Sequence, residues 1–231
     1  MMSMDGMPMP GGWTMSMAWM RMPGQTWAGA ALSFVGMWTA MMVPMMLPSA
    51  LPMLARARRA FGPTGARRLG GLTAVVGAGY FAVWAACGAA VFPFGVALAS
   101  LEMDRAPLAR AVPVAVGVVV LAAGLLQRTA WKARQLACCR RAPQVDGPLS
   151  PDAATAWRCG LRLGAHCVAC CLGQTAILLV AGVMDLWVMV AVTVAITAER
   201  LAPAGTSVAR ALGLGTAAVG LVLVARAAGL V

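Results

Sequence analysis

The chain has 231 residues, 61% of them hydrophobic and 11% charged, where a soluble globular domain carries about 25% charged residues. That balance excludes an ordinary soluble domain and points to an integral membrane protein. The net charge of +11 does not indicate nucleic acid, because the basic residues gather between hydrophobic stretches, where orientation in a bilayer accounts for them.

Residues 1–26 have a character of their own. Nine of the first 22 residues are Met, and Pro8, Pro10, Gly11 and Gly12 deny the segment a regular helix. It does not resemble a signal peptide, since no basic n-region leads into an apolar run. Residues 27–231 are expected to form the membrane domain. Six stretches within it are long enough, or nearly so, to cross a core of about 30 Å: Trp27–Leu47, Gly70–Leu98, Ala111–Leu126, Gly160–Val183, Met184–Ala198 and Val208–Val231. The third and fifth are short, so five spans with one interfacial helix is the alternative. The expected fold class is therefore all-α, a polytopic helical bundle of about six transmembrane helices.

Orientation follows from the connections. "ARARRAFGPTGARR" after the first span holds Arg56, Arg58, Arg59, Arg67 and Arg68, and the stretch from Arg128 to Arg158 holds Lys132, Arg134, Arg140 and Arg141. Between them, "LEMDRAPLAR" balances Glu102 and Asp104 against Arg105 and Arg110. Basic connections stay on the cytoplasmic side. A multi-pass protein of the cell membrane is expected, with both termini extracytoplasmic.

The fourth span carries the densest chemistry. "GAHCVACCLGQ" places the sole histidine, His166, beside Cys167, Cys170 and Cys171. At about 100° per residue these four fall within an arc of about 140°, with Cys159 and Gln174 on the same side. Thiolate and imidazole suit Cu(I), zinc or iron. The competing reading is that Cys acts as a small apolar residue allowing close helix contact. Disulfides explain the cluster less well, because cytoplasmic thiols stay reduced and seven cysteines leave one over. The first span repeats the spacing with another donor: Met41, Met42, Met45 and Met46 stand as His166, Cys167, Cys170 and Cys171 do. Pro44 and Pro48 interrupt its hydrogen bonding. Methionine commonly just fills core space, but the Met-rich tail, with Met4, Met7, Met9, Met15, Met17, Met20 and Met22, adds thioethers that hold Cu(I) without deprotonation. Among the charges, Asp185 is expected wet at an outer hairpin, and Arg200 is expected to reach water. Glu199 is expected to pair with Arg162 or Lys132, or to hydrogen-bond His166.

These residues resemble the domain-of-unknown-function 2182 family, whose members are described as predicted metal-binding integral membrane proteins. The resemblance rests on "MWTAMMVPMMLPSALPM", Gln127 with Lys132, "CRRAP", "GLRLGAHCVACCLG", "VMDLWVM" and "ERL", in that order over roughly residues 30–203. It implies metal binding and no particular reaction. The chain departs from the family in three places. Gln135 stands where a first loop cysteine is expected, with Cys139 matching the second; Ala169 replaces a glycine before Cys170 and Cys171; and Arg200 replaces a lysine after Glu199.

The expected function is binding of a soft metal ion, with copper(I) favoured and zinc or iron as alternatives, between the Met-rich first helix and the Cys/His-rich fourth. The ligand set is His166, Cys167, Cys170, Cys171, Met41, Met42, Met45 and Met46, with Cys139, Cys159, Gln174 and Glu199 accessory. Handling or transport of the ion is expected; the alternative is a membrane metalloenzyme or a subunit of a membrane oxidoreductase. Expected partners are the lipid bilayer, the ion, and a partner membrane subunit or metallochaperone, without nucleic acid.

Overall fold

The computed structural model describes residues 7–10, 12–22, 24–62, 65–141, 149–183 and 185–230. Met4, residues 142–148 of the basic connection, Met184 at the start of the fifth expected span and Val231 lie outside them. Seven α-helices form the described chain: α1 (Trp27–Ala60), α2 (Ala66–Asp104), α3 (Ala106–Leu126), α4 (Ala130–Arg141), α5 (Ala153–Ala181), α6 (Leu186–Leu201) and α7 (Gly205–Ala227). Five of them, α1, α2, α3, α5 and α7, are long and apolar enough to cross a membrane. At 16 residues, α6 rises only about 24 Å and falls short of the other five. The helices also outrun the apolar stretches: α1 and α2 have 34 and 39 residues, so their polar turns extend beyond a 30 Å core.

Two features were not expected from the sequence. The basic stretch after α3 contains α4, which buries Lys132, Leu136 and Cys139 on one face, the i, i+4, i+7 stripe of an amphipathic helix. The tail forms a short antiparallel ladder, β1 (Met7–Met9) with β2 (Trp13–Met15). It packs Met9 and Met15 against Ala99 of α2 and Ala109 of α3, and Trp13 Nε1 donates to the Ala109 carbonyl at 2.8 Å.

Small residues set the helix pairing. Gly160 and Gly164 of α5 lie against the α2 backbone at Gly79 and Tyr80; a Cβ on Gly160 would sit 3.0 Å from the Gly79 Cα, and one on Gly164 would sit 2.8 Å from the Tyr80 carbonyl. Without solvophobic drive between lipid-soluble helices, such close backbone approach supplies the packing energy. Gly117 and Gly124 of α3 meet the α7 backbone in the same way at Val224 and Ala217, while Gly213 and Gly220 of α7 meet α3 at Gly124 and Leu121. Helix α1 packs on α2 and α6, and α5 packs on α2, α3, α4 and α6. The main core lies among them, with Trp38, Trp84, Tyr80, Met42 and Met46 fully buried. Trp38 Nε1 donates to the Trp84 carbonyl at 3.0 Å. Exposed tryptophans mark both ends of the bundle, Trp27 and Trp187 at one and Trp131 and Trp157 at the other, as in the aromatic belts of membrane proteins.

Candidate metal centre

The fourth expected span is α5, and its cysteines point inward. Cys167, Cys170 and Cys171 are at most 2% exposed and Cys159 is 8% exposed. All seven cysteines are free thiols. His166 faces outward and is exposed, so the helix turns the imidazole away from its three neighbouring thiols. The arc shared by these residues straddles the edge of the buried face rather than lying within it.

The point on which Cys167 and Cys171 converge is held by Arg200. Its Nη2 donates to the Cys167 and Cys171 sulfurs at 3.1 Å each, and to the Cys167 carbonyl at 3.5 Å; the Cys139 sulfur stands 4.0 Å away. Nη1 donates to Ser49 Oγ at 3.3 Å and approaches Met53 Sδ at 3.9 Å. Arg200 therefore does not reach out to water; at 7% exposure it bridges α1 and α5 from the end of α6. Burying a guanidinium is costly unless its partners are charged or polar, and here they are two thiols, a hydroxyl and a carbonyl. Tyr80 adds an oxygen 2.8 Å from the Cys167 sulfur. Cys170 lies against the thiols of Cys139 and Cys171. Cys139, on α4, donates to the His166 carbonyl at 3.1 Å. The neighbouring Cys170 thiol and burial push the Cys139 thiol well above its ordinary value.

A second polar cluster adjoins the first. Lys132 Nζ pairs with Glu199 Oε2 at 2.7 Å, both side chains about 2% exposed. Gln127 and Gln174 each donate to Glu199 Oε1, at 2.7 and 2.8 Å, and Lys132 also donates to the Cys170 carbonyl at 2.8 Å. Of the partners expected for Glu199, Lys132 is the one the fold supplies. The pair neutralises itself, so Arg200 is the charge that faces the thiols. Asp185 caps α6 through the Trp187 and Val188 amides and is exposed, as expected.

The methionine stripe lies in different surroundings. Met41, Met42, Met45 and Met46 are all buried in the main core with Trp38, Trp84 and Tyr80. That core also contains Cys167 and Cys171, but the thioether beside Arg200 belongs to Met53, one helix turn beyond Ser49. Met9 and Met15 of the tail are buried in packing, whereas Met7, Met17 and Met22 are exposed. Among the described residues, no three His, Cys, Asp or Glu side chains are placed to hold a metal ion as they stand; the guanidinium occupies the point between the two nearest sulfurs. Sequence reasoning missed Arg200 as a site residue because its place at a helix end suggested exposure. It missed Tyr80 and Met53 because each is a lone side chain in an apolar run.

No curated protein and no solved structure matched the chain. Residues 35–223 match the family described as PpoB2, copper chaperone. That family carries a different name from the one its motifs resembled, and it narrows the general expectation of metal to copper. The match covers the helices that build the thiol and ion-pair clusters, and the chain belongs to this copper chaperone family.

Proposed function

We propose that the chain is a multi-pass membrane copper chaperone that takes Cu(I) as cargo between Cys167 and Cys171, with Cys139 and Met53 as adjacent sulfur donors. The observation that carries the reading is the pair of sulfurs, one helix turn apart and buried, both 3.1 Å from a single cationic nitrogen. A site that already holds a cation between two sulfurs has the charge and donor chemistry that a soft monovalent ion requires. Copper(I) tolerates two or three sulfur ligands, and thiolate is the ligating form.

The charge balance explains Arg200. Two thiolates and Cu(I) carry one net negative charge, and an uncompensated charge inside a bilayer costs at least about 2.5–3.5 kcal/mol. A guanidinium that vacates the point between the two sulfurs and stays beside them cancels it. Without copper, Arg200 pairs the same sulfurs; with copper, it becomes the counter-charge of the complex. Tyr80 offers a hydroxyl to Cys167, and the Lys132–Glu199 pair with Gln127 and Gln174 fixes α4, α5 and α6 around the thiols. His166 is left out of this ligand set, and the Met41–Met46 stripe packs the core beside it. With α6 counted as a sixth, short crossing between α5 and α7, the basic connections support an orientation with both termini extracytoplasmic, and residues 1–26 then form an outer tail whose Met7, Met17 and Met22 are exposed to an incoming ion.

The test is metal content and anaerobic Cu(I) titration of the detergent-purified chain, wild type beside Cys167→Ser/Cys171→Ser. The expected result is about one tightly held copper per chain, lost in the double variant while the protein remains monodisperse. Retention of that copper by the folded double variant overturns the assignment.

A further inference from the structure

A cavity of about 250 Å³ lies beside the thiol cluster; among the described residues it is lined by Ser49, Met53, Arg56, Cys139, Arg140 and Arg200, together with Pro52 and Leu201. It has room for about eight water-sized groups. Leu201 is half exposed and Arg56 and Arg140 are partly exposed, so the cavity reaches the surface at the bundle's basic end. Three of its lining side chains are guanidiniums and, among the described residues, none is a carboxylate. Among the described residues, Glu199 is held by Lys132, Gln127 and Gln174, and Arg140 Nη2 donates to the neutral Ala202 and Pro203 carbonyls at 2.6 and 3.3 Å, which leaves its charge in place. Arg200 Nε is buried and has no hydrogen-bond partner among the described residues, which leaves a charged donor in the wall unanswered.

We propose that this cavity is the exchange port for Cu(I) carried by a small thiol bearing a carboxylate. The inference rests on the reading of Cys167 and Cys171 as the copper site. Copper(I) held by two thiolates is an anionic complex, and carboxylates on the carrier make it more so. Arg56, Arg140 and Arg200 supply the opposite charge, while Pro52, Met53 and Leu201 accept the methylene stem. Cys139 lines the cavity and also stands 4.0 Å from the Arg200 Nη2 that touches both site sulfurs. It links the port to the centre. In the exchange, two copper–sulfur bonds to the carrier break, and two form to Cys167 and Cys171. The protons of the two cysteine thiols leave on the released carrier thiols, and copper remains Cu(I) throughout, so no oxidant or reductant is needed.

Two probes of similar size separate charge from thiol chemistry: the Cu(I) complexes of 3-mercaptopropionate and of cysteamine. Loading rates into the full chain in detergent are measured for each, with the Cu(I)–acetonitrile complex as a thiol-free source. The expected result is loading from mercaptopropionate about tenfold faster than from cysteamine, with the ratio shrinking as ionic strength rises. Arg56→Gln lowers the ratio several-fold, and Arg56→Lys restores it. A ratio near one in the wild type, or a ratio unmoved by Arg56→Gln, overturns the port. If the wild type takes no copper even from acetonitrile, the copper site itself fails; if it loads from acetonitrile but ignores carrier charge, only the port does.

Discussion

The chain carries two four-residue stripes with identical spacing, Met41/Met42/Met45/Met46 on α1 and His166/Cys167/Cys170/Cys171 on α5, and the fold treats them differently. All four methionines are buried among aromatic and aliphatic side chains. The α5 stripe is split: three thiols turn inward toward Arg200 and the Lys132–Glu199 pair, and His166 turns out. Spacing determines which residues share a face. The neighbouring helix determines whether that face is a packing surface or a site, and α6 supplies that difference by ending in Glu199 and Arg200 at the level of the thiols.

If this contrast is right, damage at the two stripes differs in kind. Glu199→Ala leaves Lys132 buried without a counter-charge and removes the acceptor used by Gln127 and Gln174. It is expected to cost about 3–5 kcal/mol, seen as loss of monodisperse protein on size exclusion. Lys132→Met/Glu199→Met, which removes both charges, is expected to recover most of that loss; no recovery breaks the idea that the uncompensated charge is the cause. Gly160→Ala places a Cβ against the α2 backbone at Val76 and Gly79, which cannot yield as a flexible side chain does. The expected cost is about 1–3 kcal/mol, read as a lower thermal midpoint in detergent. Met41→Leu and Met45→Leu keep volume in a packed core, so each is expected to cost less than about 1.5 kcal/mol and to leave copper stoichiometry unchanged. Trp13→Phe loses the hydrogen bond to the Ala109 carbonyl, about 1 kcal/mol, and is expected to speed amide exchange at Met9 and Met15 while leaving the copper site alone.

The membrane class and the position of the thiol helix were legible in the sequence, because long apolar runs and basic connections report directly on the bilayer. Helix boundaries were less so: α1 runs through Pro44, Pro48 and Pro52 to Ala60, well past the last apolar stretch. Helix α4 was hidden by its basic composition, although Lys132, Leu136 and Cys139 spell its buried face. The partner of Glu199 was within reach, since few cations could meet it. Arg200 was not, because an arginine at a helix end ordinarily extends to water, and only the converging positions of Ser49, Met53, Cys167 and Cys171 give it a reason to stay inside. His166 misled for the opposite reason: a 140° arc is wide enough for its edge residue to face away.

The most direct test of the central claim is copper-edge X-ray absorption on the Cu(I)-loaded chain, comparing wild type, His166→Ala and Met41→Leu/Met42→Leu/Met45→Leu/Met46→Leu. Sulfur-only coordination, the same in all three proteins, is the predicted result. Imidazole scattering that vanishes in His166→Ala, or sulfur scattering that falls in the methionine variant, would contradict it and return the ion to the stripes that sequence spacing alone had joined.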